Sequence, residues 1–220
     1  MRTVVFDLDG TLADTSADLL AAANACFRSL GHGDMLDAGD TLTAFHGGRA
    51  MLRLGFSRLK GYTETDVDVQ YPVLLAAYAR AIDTHTTLYP GSLDAVIALR
   101  NAGFALAICT NKPAGLAETL TRSLGIRPYF GALIGADTLP VRKPDPAPLL
   151  EAISRVGGDP SRSLLIGDTQ TDRDTGRAAG VPVVLVSFGP EGAGVARMEP
   201  EALLHHFDDL PRLAQQMLAG

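Results

Sequence analysis

Two carboxylates follow the first hydrophobic segment of the chain. Asp7 and Asp9 come directly after the apolar run Thr3–Phe6, and Gly10 and Thr11 come next. Residues i and i+2 of an extended strand point to the same side, so the two carboxylates should converge on one site. Like charges held this close repel each other unless a cation or a proton lies between them. The pair therefore predicts a cation site in which one carboxyl group can hold a proton.

Two other interpretations apply to this segment. A calcium-binding EF-hand loop needs Gly at position six and Glu at position twelve. Starting the loop at Asp7 puts Leu12 where the glycine should be, so the spacing does not fit. A plain turn remains as the simpler interpretation, because Asp and Gly are common turn-forming residues.

Polar side chains also occur in three later segments, each just after an apolar run or just before a helix. They are Thr110 and Asn111, then Lys143, then Asp168 and Asp172. Each has a simpler explanation, because hydroxyls and carboxylates cap helices and most lysines lie at the surface. Together with Asp7 and Asp9, however, they supply carboxylates, a hydroxyl, an amine and helix N-termini. Phosphoryl transfer through a carboxylate nucleophile requires these groups.

Apolar runs of strand length alternate with helical patterns through most of the chain. The runs are Thr3–Phe6, Phe104–Cys109, Ala132–Ile134, Ser163–Ile166 and Val183–Val186, and the helical segments are Ser92–Ala102, Pro113–Leu124, Pro146–Val156 and Asp172–Ala179. This alternation predicts an α/β fold with a doubly wound, mainly parallel sheet covered by helices on both faces. Such sheets bind ligands at the carboxyl ends of their strands.

The region from residue 15 to residue 87 breaks this alternation. It contains no clear strand, and its pattern predicts helices over Asp18–Leu30, Gly48–Leu59 and Asp66–Asp83. We therefore predict an α/β catalytic core formed by residues 1–14 and 88–220 and an inserted all-helical cap domain formed by residues 15–87. The inserted domain is expected over the ligand-binding end of the sheet.

Composition excludes several other classes of function. The 220-residue chain has a net charge of −6, whereas a nucleic-acid-binding protein needs a basic face. No apolar run approaches the roughly 20 residues of a membrane span, and no signal peptide is visible. Cys26 and Cys109 lie in apolar surroundings, which indicates buried thiols in a reducing cytoplasm. His205 and His206 have no suitably spaced partner ligand, so we expect them at the surface.

The four polar segments, in this order and spacing, resemble the haloacid dehalogenase (HAD) superfamily. The matching pattern is Asp7-x-Asp9-Gly10-Thr11-x-x-Asp14, then Thr110, then Lys143-Pro144, then Gly167-Asp168-x-x-x-Asp172. The resemblance spans the whole chain, and the helical insertion is similar to the first type of cap domain in this superfamily. Within it, the segments Cys109–Pro113 and Arg142–Pro146 resemble those of the phosphoglycolate phosphatases.

The resemblance implies that three of these residues are catalytic and that two bind the substrate. Asp7 would be the nucleophile that takes the phosphoryl group and forms an aspartyl-phosphate. Asp9 would protonate the leaving alkoxide and then activate the water that hydrolyses the intermediate. Thr110 and Asn111 would hold phosphate oxygens, and Lys143 would bridge Asp7 and the phosphate.

The resemblance also implies a bound Mg²⁺, which would resolve the repulsion between the first two carboxylates. Its ligands would be the side chains of Asp7 and Asp168 and the backbone carbonyl oxygen of Asp9. Asp172 would be a further ligand or a residue that orients the others. An oxygen-only, partly hydrated set of ligands suits Mg²⁺.

The implied substrate is a small phosphorylated metabolite, and 2-phosphoglycolate is the most specific expectation. Arg49 or His46 in the predicted cap could bind its carboxylate, although an arginine facing water is the simpler interpretation. A β-phosphoglucomutase-like sugar phosphomutase and a pyrophosphatase of the same superfamily remain alternatives. Asp9 argues against a dehalogenase, which needs no acid there. A receiver-type phosphoacceptor switch is a remote non-enzymatic alternative, because its acceptor would follow a later strand.

Overall fold

The chain divides into two compact units. The computed structural model describes residues 1–219. Met1–Asp14 and the chain from Leu88 onward form one unit, here called the core unit, and Thr15–Thr87 form the other, here called the helical unit.

Eight strands and nine helices are present in the described residues. The strands are β1 (Thr3–Phe6), β2 (Ala13–Asp14), β3 (Thr87–Leu88), β4 (Ala105–Cys109), β5 (Ala132–Ile134), β6 (Ser163–Gly167), β7 (Val183–Val186) and β8 (Ala202–Leu204). The helices are α1 (Ser16–Ser29), α2 (Thr41–Phe45), α3 (Gly48–Ser57), α4 (Glu64–Arg80), α5 (Ser92–Asn101), α6 (Ala114–Ser123), α7 (Ala147–Arg155), α8 (Gln170–Ala179) and α9 (Leu210–Met217).

A six-stranded parallel sheet forms the centre of the core unit, which confirms the predicted α/β class. Its strand order is β5-β4-β1-β6-β7-β8, and every neighbouring pair runs parallel. In the central register, Val5 of β1 lies between Ala107 of β4 and Leu165 of β6. All residues of β1 are buried, as expected for a strand covered by helices on both faces. The short strands β2 and β3 form a separate two-stranded sheet.

The five predicted strands and four predicted core helices are confirmed to within one or two residues. The helices predicted at Pro113 and Pro146 begin one residue later, with each proline at the preceding cap position. The last of the four begins at Gln170 rather than Asp172, because Thr169 and Asp172 form a capping box around its first turn. Two further elements were not predicted from the sequence: β8, which is the edge strand beside β7, and α9, which is the last helix.

Aromatic packing and one buried carboxylate hold the helical unit together. Helices α1 and α4 pack against each other, and the rings of Phe27 and Phe56 meet edge to face with centroids 5.1 Å apart. The buried carboxylate of Asp18, in the first turn of α1, accepts hydrogen bonds from the backbone N–H groups of His85 and Thr86 at 2.8–3.0 Å. These bonds join the first turn of α1 to the segment that ends the unit.

Two further expectations from the sequence concern burial and membrane spanning. Cys26 and Cys109 are both free and buried, as predicted. No helix among the described residues has the length and apolar composition needed to cross a membrane.

The packing of α8 on β7 leaves no space for a side chain at Gly176. A Cβ there would lie 2.1 Å from Val183 Cγ2 and 2.8 Å from the Val181 carbonyl oxygen. We expect Gly176→Ala to lower the free energy of unfolding by about 1–3 kcal/mol, as overpacking does. Gly115 of α6 is the matched control, since no atom would lie within 4 Å of its Cβ. Gly115→Ala should be neutral or stabilise by up to about 1 kcal/mol. Urea unfolding measures both, and equal effects would contradict the packing.

Candidate active site

The central strands bring three of the predicted polar segments together at the carboxyl end of the sheet. Asp7 directly follows β1, Thr110 directly follows β4 and Asp168 directly follows β6, and β1 lies between the other two strands. Backbone hydrogen bonds continue the ladder into the site: Asp7 N donates to the Ile166 carbonyl oxygen at 2.9 Å. The carboxyl end of a parallel sheet, where crossovers diverge, is the usual place for a ligand.

Three buried carboxylates and one ammonium group form the centre of this site. Asp7, Asp168 and Asp172 each offer an oxygen, and these oxygens lie within 4.8 Å of one another. The ammonium of Lys143, whose side chain is 1% exposed, lies 3.2 Å from Asp7 Oδ2 and 2.6 Å from Asp172 Oδ1. The negative charge of the three carboxylates therefore exceeds the single positive charge of Lys143, so a further cation is favoured here.

Both carboxylate oxygens of Asp172 have partners within the protein. Oδ1 accepts from Lys143 Nζ, while Oδ2 accepts from Asp168 N at 3.2 Å and from Thr169 Oγ1 at 2.7 Å. Gly167 leaves the space that this side chain needs, because a Cβ there would be 2.4 Å from Asp172 Cγ. Asp172 thus links Lys143 to the first turn of α8.

Asp168 has one carboxylate oxygen without a protein partner. Oδ1 accepts from Thr11 Oγ1 at 2.8 Å, whereas Oδ2 is buried and makes no hydrogen bond in the described structure. An unsatisfied buried acceptor is unfavourable in a folded protein. A hard cation such as Mg²⁺ would satisfy it, and the donors present are the carboxylate oxygens that such a cation prefers. The residues of this site fit a divalent metal ion.

Burial and mutual repulsion shift the pKa values in this cluster. Burial raises the pKa of Asp7 to about 6; Lys143 opposes the shift, and Asp172 and Asp9 add to it. Burial also raises the pKa of Asp168 well above its usual value, with Asp172 and Asp7 adding to the shift. Burial would lower the pKa of Lys143, but the carboxylates of Asp172 and Asp7 outweigh it and raise that pKa. Lys143 is therefore held in its charged form.

The segment after β4 contacts both Asp9 and the loop that carries Lys143. Lys112 Nζ lies 2.8 Å from Asp9 Oδ1, and Asn111 Nδ2 donates to the Lys143 carbonyl oxygen at 2.9 Å. Thr110 Oγ1 accepts from Lys112 N at 3.3 Å, which closes a turn before α6. Seven of the nine predicted site residues thus belong to the core unit and lie at or beside this end of the sheet.

The contacts of Lys112 and Thr11 were not predicted from the sequence. Lys112 stands in the predicted loop between β4 and α6, where a solvated lysine is the ordinary interpretation. Thr11 belongs to the first motif, and the motif alone gives it no contact. Their position in the sequence could have indicated a role, because both residues lie close to predicted site residues in segments that leave the carboxyl end of the sheet.

The other two predicted site residues, His46 and Arg49, belong to the helical unit. His46 follows α2, and Arg49 is in the first turn of α3. The Arg49 guanidinium pairs with Asp68 and lies over the Tyr71 ring, 4.5 Å from its centroid. Arg49 is thus held by its own unit and does not simply extend into water.

His205, predicted at the surface, is exposed, and its Nδ1 lies 2.6 Å from Ser187 Oγ.

A comparison with family models identifies the family. Residues 1–180 match the model of the haloacid dehalogenase-like hydrolases. The chain belongs to this family. The HAD-like hydrolase assignment agrees with the resemblance seen in the sequence motifs.

Relatives of this HAD-like hydrolase cover nearly its whole length. It is 40% identical to a phosphoglycolate phosphatase of Mesorhizobium japonicum, over 98% of this chain and 96% of the relative. It is 35% identical to a phosphoglycolate phosphatase of Agrobacterium fabrum, over 98% and 93% of the two chains. The crystal structure of a predicted phosphoglycolate phosphatase from Haemophilus somnus superposes with a TM-score of 0.86 over 98% of both chains, at 24% identity. This last similarity shows a shared fold.

The raised pKa values predict how the stability of the metal-free HAD-like hydrolase depends on pH. Folded Asp7 and Asp168 bind protons more tightly than the unfolded chain does, so the free energy of unfolding should fall as the pH rises from about 4 through 6. Asp168→Asn removes one buried ionisation and should raise the free energy of unfolding in chelator at pH 7. Urea unfolding between pH 4 and pH 7 measures both effects.

The matched control is Asp94→Asn, at an exposed position in the first turn of α5. It should leave the pH dependence unchanged. An Asp168→Asn protein that is less stable than wild type at pH 7 without metal would contradict the buried-charge explanation.

Proposed function

We propose that this enzyme is a Mg²⁺-dependent phosphatase that hydrolyses 2-phosphoglycolate through an aspartyl-phosphate on Asp7. The observation that carries the proposal is the position of Asp7. It is a buried carboxylate at the end of the central strand, beside the ammonium of Lys143 at 3.2 Å. An anionic nucleophile can approach an anionic ester only when such positive charge offsets their repulsion.

In the first step, a carboxylate oxygen of Asp7 forms a bond to phosphorus, and the bond from phosphorus to the ester oxygen breaks. The carboxyl proton of Asp9 goes to the departing oxygen, which leaves as an alcohol. Alkoxides are poor leaving groups, so this proton transfer should be worth about a hundredfold or more in rate. Lys143 stays charged and offsets the negative charge at the reacting phosphoryl group.

In the second step, water attacks the phosphorus of the phosphorylated Asp7. Its proton goes to the carboxylate of Asp9, and the bond from phosphorus to the Asp7 oxygen breaks. Inorganic phosphate leaves, and Asp7 and Asp9 return to their starting forms. Asp9 therefore acts first as acid and then as base.

Thr110 and Asn111 are the proposed ligands of the phosphoryl oxygens. They lie between β4 and the N-terminus of α6, where a hydroxyl and free amides favour an anion. Their contacts to Lys112 N and to the Lys143 carbonyl oxygen fix this segment relative to the other groups.

We propose that Mg²⁺ would be held by Asp7 and Asp168 through their side chains and by Asp9 through its backbone carbonyl. When bound, it would offset the excess carboxylate charge and polarise a phosphoryl oxygen. The unpartnered Oδ2 of Asp168 supports this assignment. Asp172, whose two oxygens already have partners, is proposed to orient Lys143 and the Asp168 turn.

The helical unit is proposed to act as the cap that selects the substrate. The similarity to phosphoglycolate phosphatases favours a phosphate ester that carries a carboxylate. Arg49 is the proposed partner of that carboxylate. Its guanidinium is held by Asp68 and Tyr71, and an arginine fixed in place can bind a carboxylate with good geometry. His46 is a second candidate. A cytoplasmic location, suggested by the buried thiols, belongs to the same proposal.

The nucleophile assignment predicts the behaviour of Asp7→Asn. This variant should lose at least about a thousandfold in kcat, because an amide cannot form the aspartyl-phosphate. Rapid acid quench and mass spectrometry should find a phosphorylated peptide containing Asp7 in wild type and none in the variant. Asp94→Asn should behave as wild type. A phosphorylated residue elsewhere in the chain would contradict the assignment.

Substrate choice is tested with a panel of phosphate esters, pyrophosphate and a sugar phosphomutase assay, each with Mg²⁺ and with chelator. Arg49→Gln should raise KM for 2-phosphoglycolate by about ten- to a hundredfold, because it removes a charge-assisted hydrogen bond. KM for an ester without a carboxylate should stay within about twofold. Arg53→Gln is the matched control, since Arg53 is an exposed arginine of the same helix paired with Glu64. Full activity without metal, or no preference for 2-phosphoglycolate, would overturn the proposal.

A further inference from the structure

Lys112 is a buried lysine beside the proposed acid. Its side chain is 3% exposed, and its ammonium lies 2.8 Å from Asp9 Oδ1. Lysines are almost never this buried unless their charge is paired, because removing an ammonium from water is costly. The Asp9 side chain is 19% exposed, so the buried partner in this pair is the lysine.

The backbone around Lys112 is held on both sides. Its N–H donates to Thr110 Oγ1 at 3.3 Å, and its carbonyl oxygen accepts from Ala136 N at 2.9 Å. Pro113 follows and caps α6. The ammonium therefore extends from a fixed backbone between a strand and a helix, which limits where the carboxyl group of Asp9 can lie.

The two carboxylates of the first motif contact different lysines. Lys143 contacts Asp7 and Asp172, whereas Lys112 contacts Asp9. This separation matches the different duties proposed for Asp7 and Asp9: one attacks phosphorus, and the other gives up and regains a proton.

We propose that Lys112 is a positioning residue that holds the carboxyl group of Asp9 in place for proton transfer. This inference rests on the phosphatase function proposed above. When Asp9 passes its proton to the departing oxygen, it becomes an anion, and the adjacent ammonium offsets the charge that forms. Lys112 acts through Asp9 and makes no contact with the substrate.

The leaving group of the substrate distinguishes this role from a merely structural one. An alkyl ester such as 2-phosphoglycolate needs the proton from Asp9, whereas p-nitrophenolate leaves without one. In Lys112→Met, kcat/KM should fall by about thirtyfold or more for 2-phosphoglycolate and by less than about threefold for p-nitrophenyl phosphate. The value of kcat/KM includes no step after the alcohol departs, so hydrolysis of the aspartyl-phosphate does not affect it. Lys60→Met, at an exposed lysine, is the matched control.

A double-mutant cycle tests whether Lys112 acts through Asp9. Adding Lys112→Met to Asp9→Asn should change kcat/KM for 2-phosphoglycolate by less than about twofold, because the group it positions is already gone. Effects that multiply, or an equal loss on both esters, would overturn the proposal. The latter result would indicate a direct phosphate contact or general damage to the site.

Lys112→Arg and Lys112→Gln test the proposal independently in case Lys112→Met does not fold. Arginine keeps the charge and should recover part of the activity on the alkyl ester, while glutamine should show the same dependence on leaving group as methionine. Thermal unfolding of each variant identifies loss of structure. If wild type hydrolyses neither ester, the proposed function fails. A different result would overturn the Lys112 proposal alone. In it, wild type is active and the loss of kcat/KM in Asp9→Asn depends on the leaving group, whereas the loss in the folded Lys112 variants does not.

Discussion

The arrangement of the core unit depends on one buried ammonium group lying between two carboxylates. Lys143 contacts Asp7 at 3.2 Å and Asp172 at 2.6 Å, and little of its side chain reaches water. Removing three charged groups from water is unfavourable unless each finds close partners. The end of β1, the loop before α7 and the first turn of α8 must therefore meet at this point, and the strand order with β1 at the centre allows it.

The same constraint explains why the site favours a cation. Asp168 adds a third carboxylate to the cluster, and its Oδ2 has no protein partner. The pKa values of Asp7 and Asp168 are raised chiefly because burial penalises their charged forms, and Lys143 only partly opposes this. A divalent ion would lower that penalty and return both groups to the anionic form. In the proposed reaction, the nucleophile and the proposed metal ligand would then be charged at neutral pH.

The sequence predicts most of the fold and most of the site because both depend on local signals. Each central strand is a short apolar run, and a polar residue follows it directly, so the convergence of Asp7 and Asp168 follows from parallel strand pairing. The partner of Lys112 could not be predicted, because Asp9 is 103 residues away and only the folded sheet brings them together. The position of Asp172 suited both a metal ligand and an orienting residue, since spacing alone does not show which oxygens are already hydrogen-bonded. The edge strand β8 was not predicted because Glu201 precedes its three residues and His205 and His206 follow them, so no apolar run stands out there.

The hydrogen bonds of the core unit hold the residues proposed for phosphoryl transfer, whereas the choice between substrates needs other residues. Asn111 holds the backbone of Lys143, Lys143 holds Asp7 and Asp172, and Asp172 holds the turn that carries Asp168. These contacts all lie within one compact unit. Preorganised groups of this kind act on the phosphoryl group, which is common to all phosphate esters. Discrimination between esters must then come from residues that contact the rest of the substrate. An inserted unit whose Arg49 is held by its own Asp68 and Tyr71 is suited to that task.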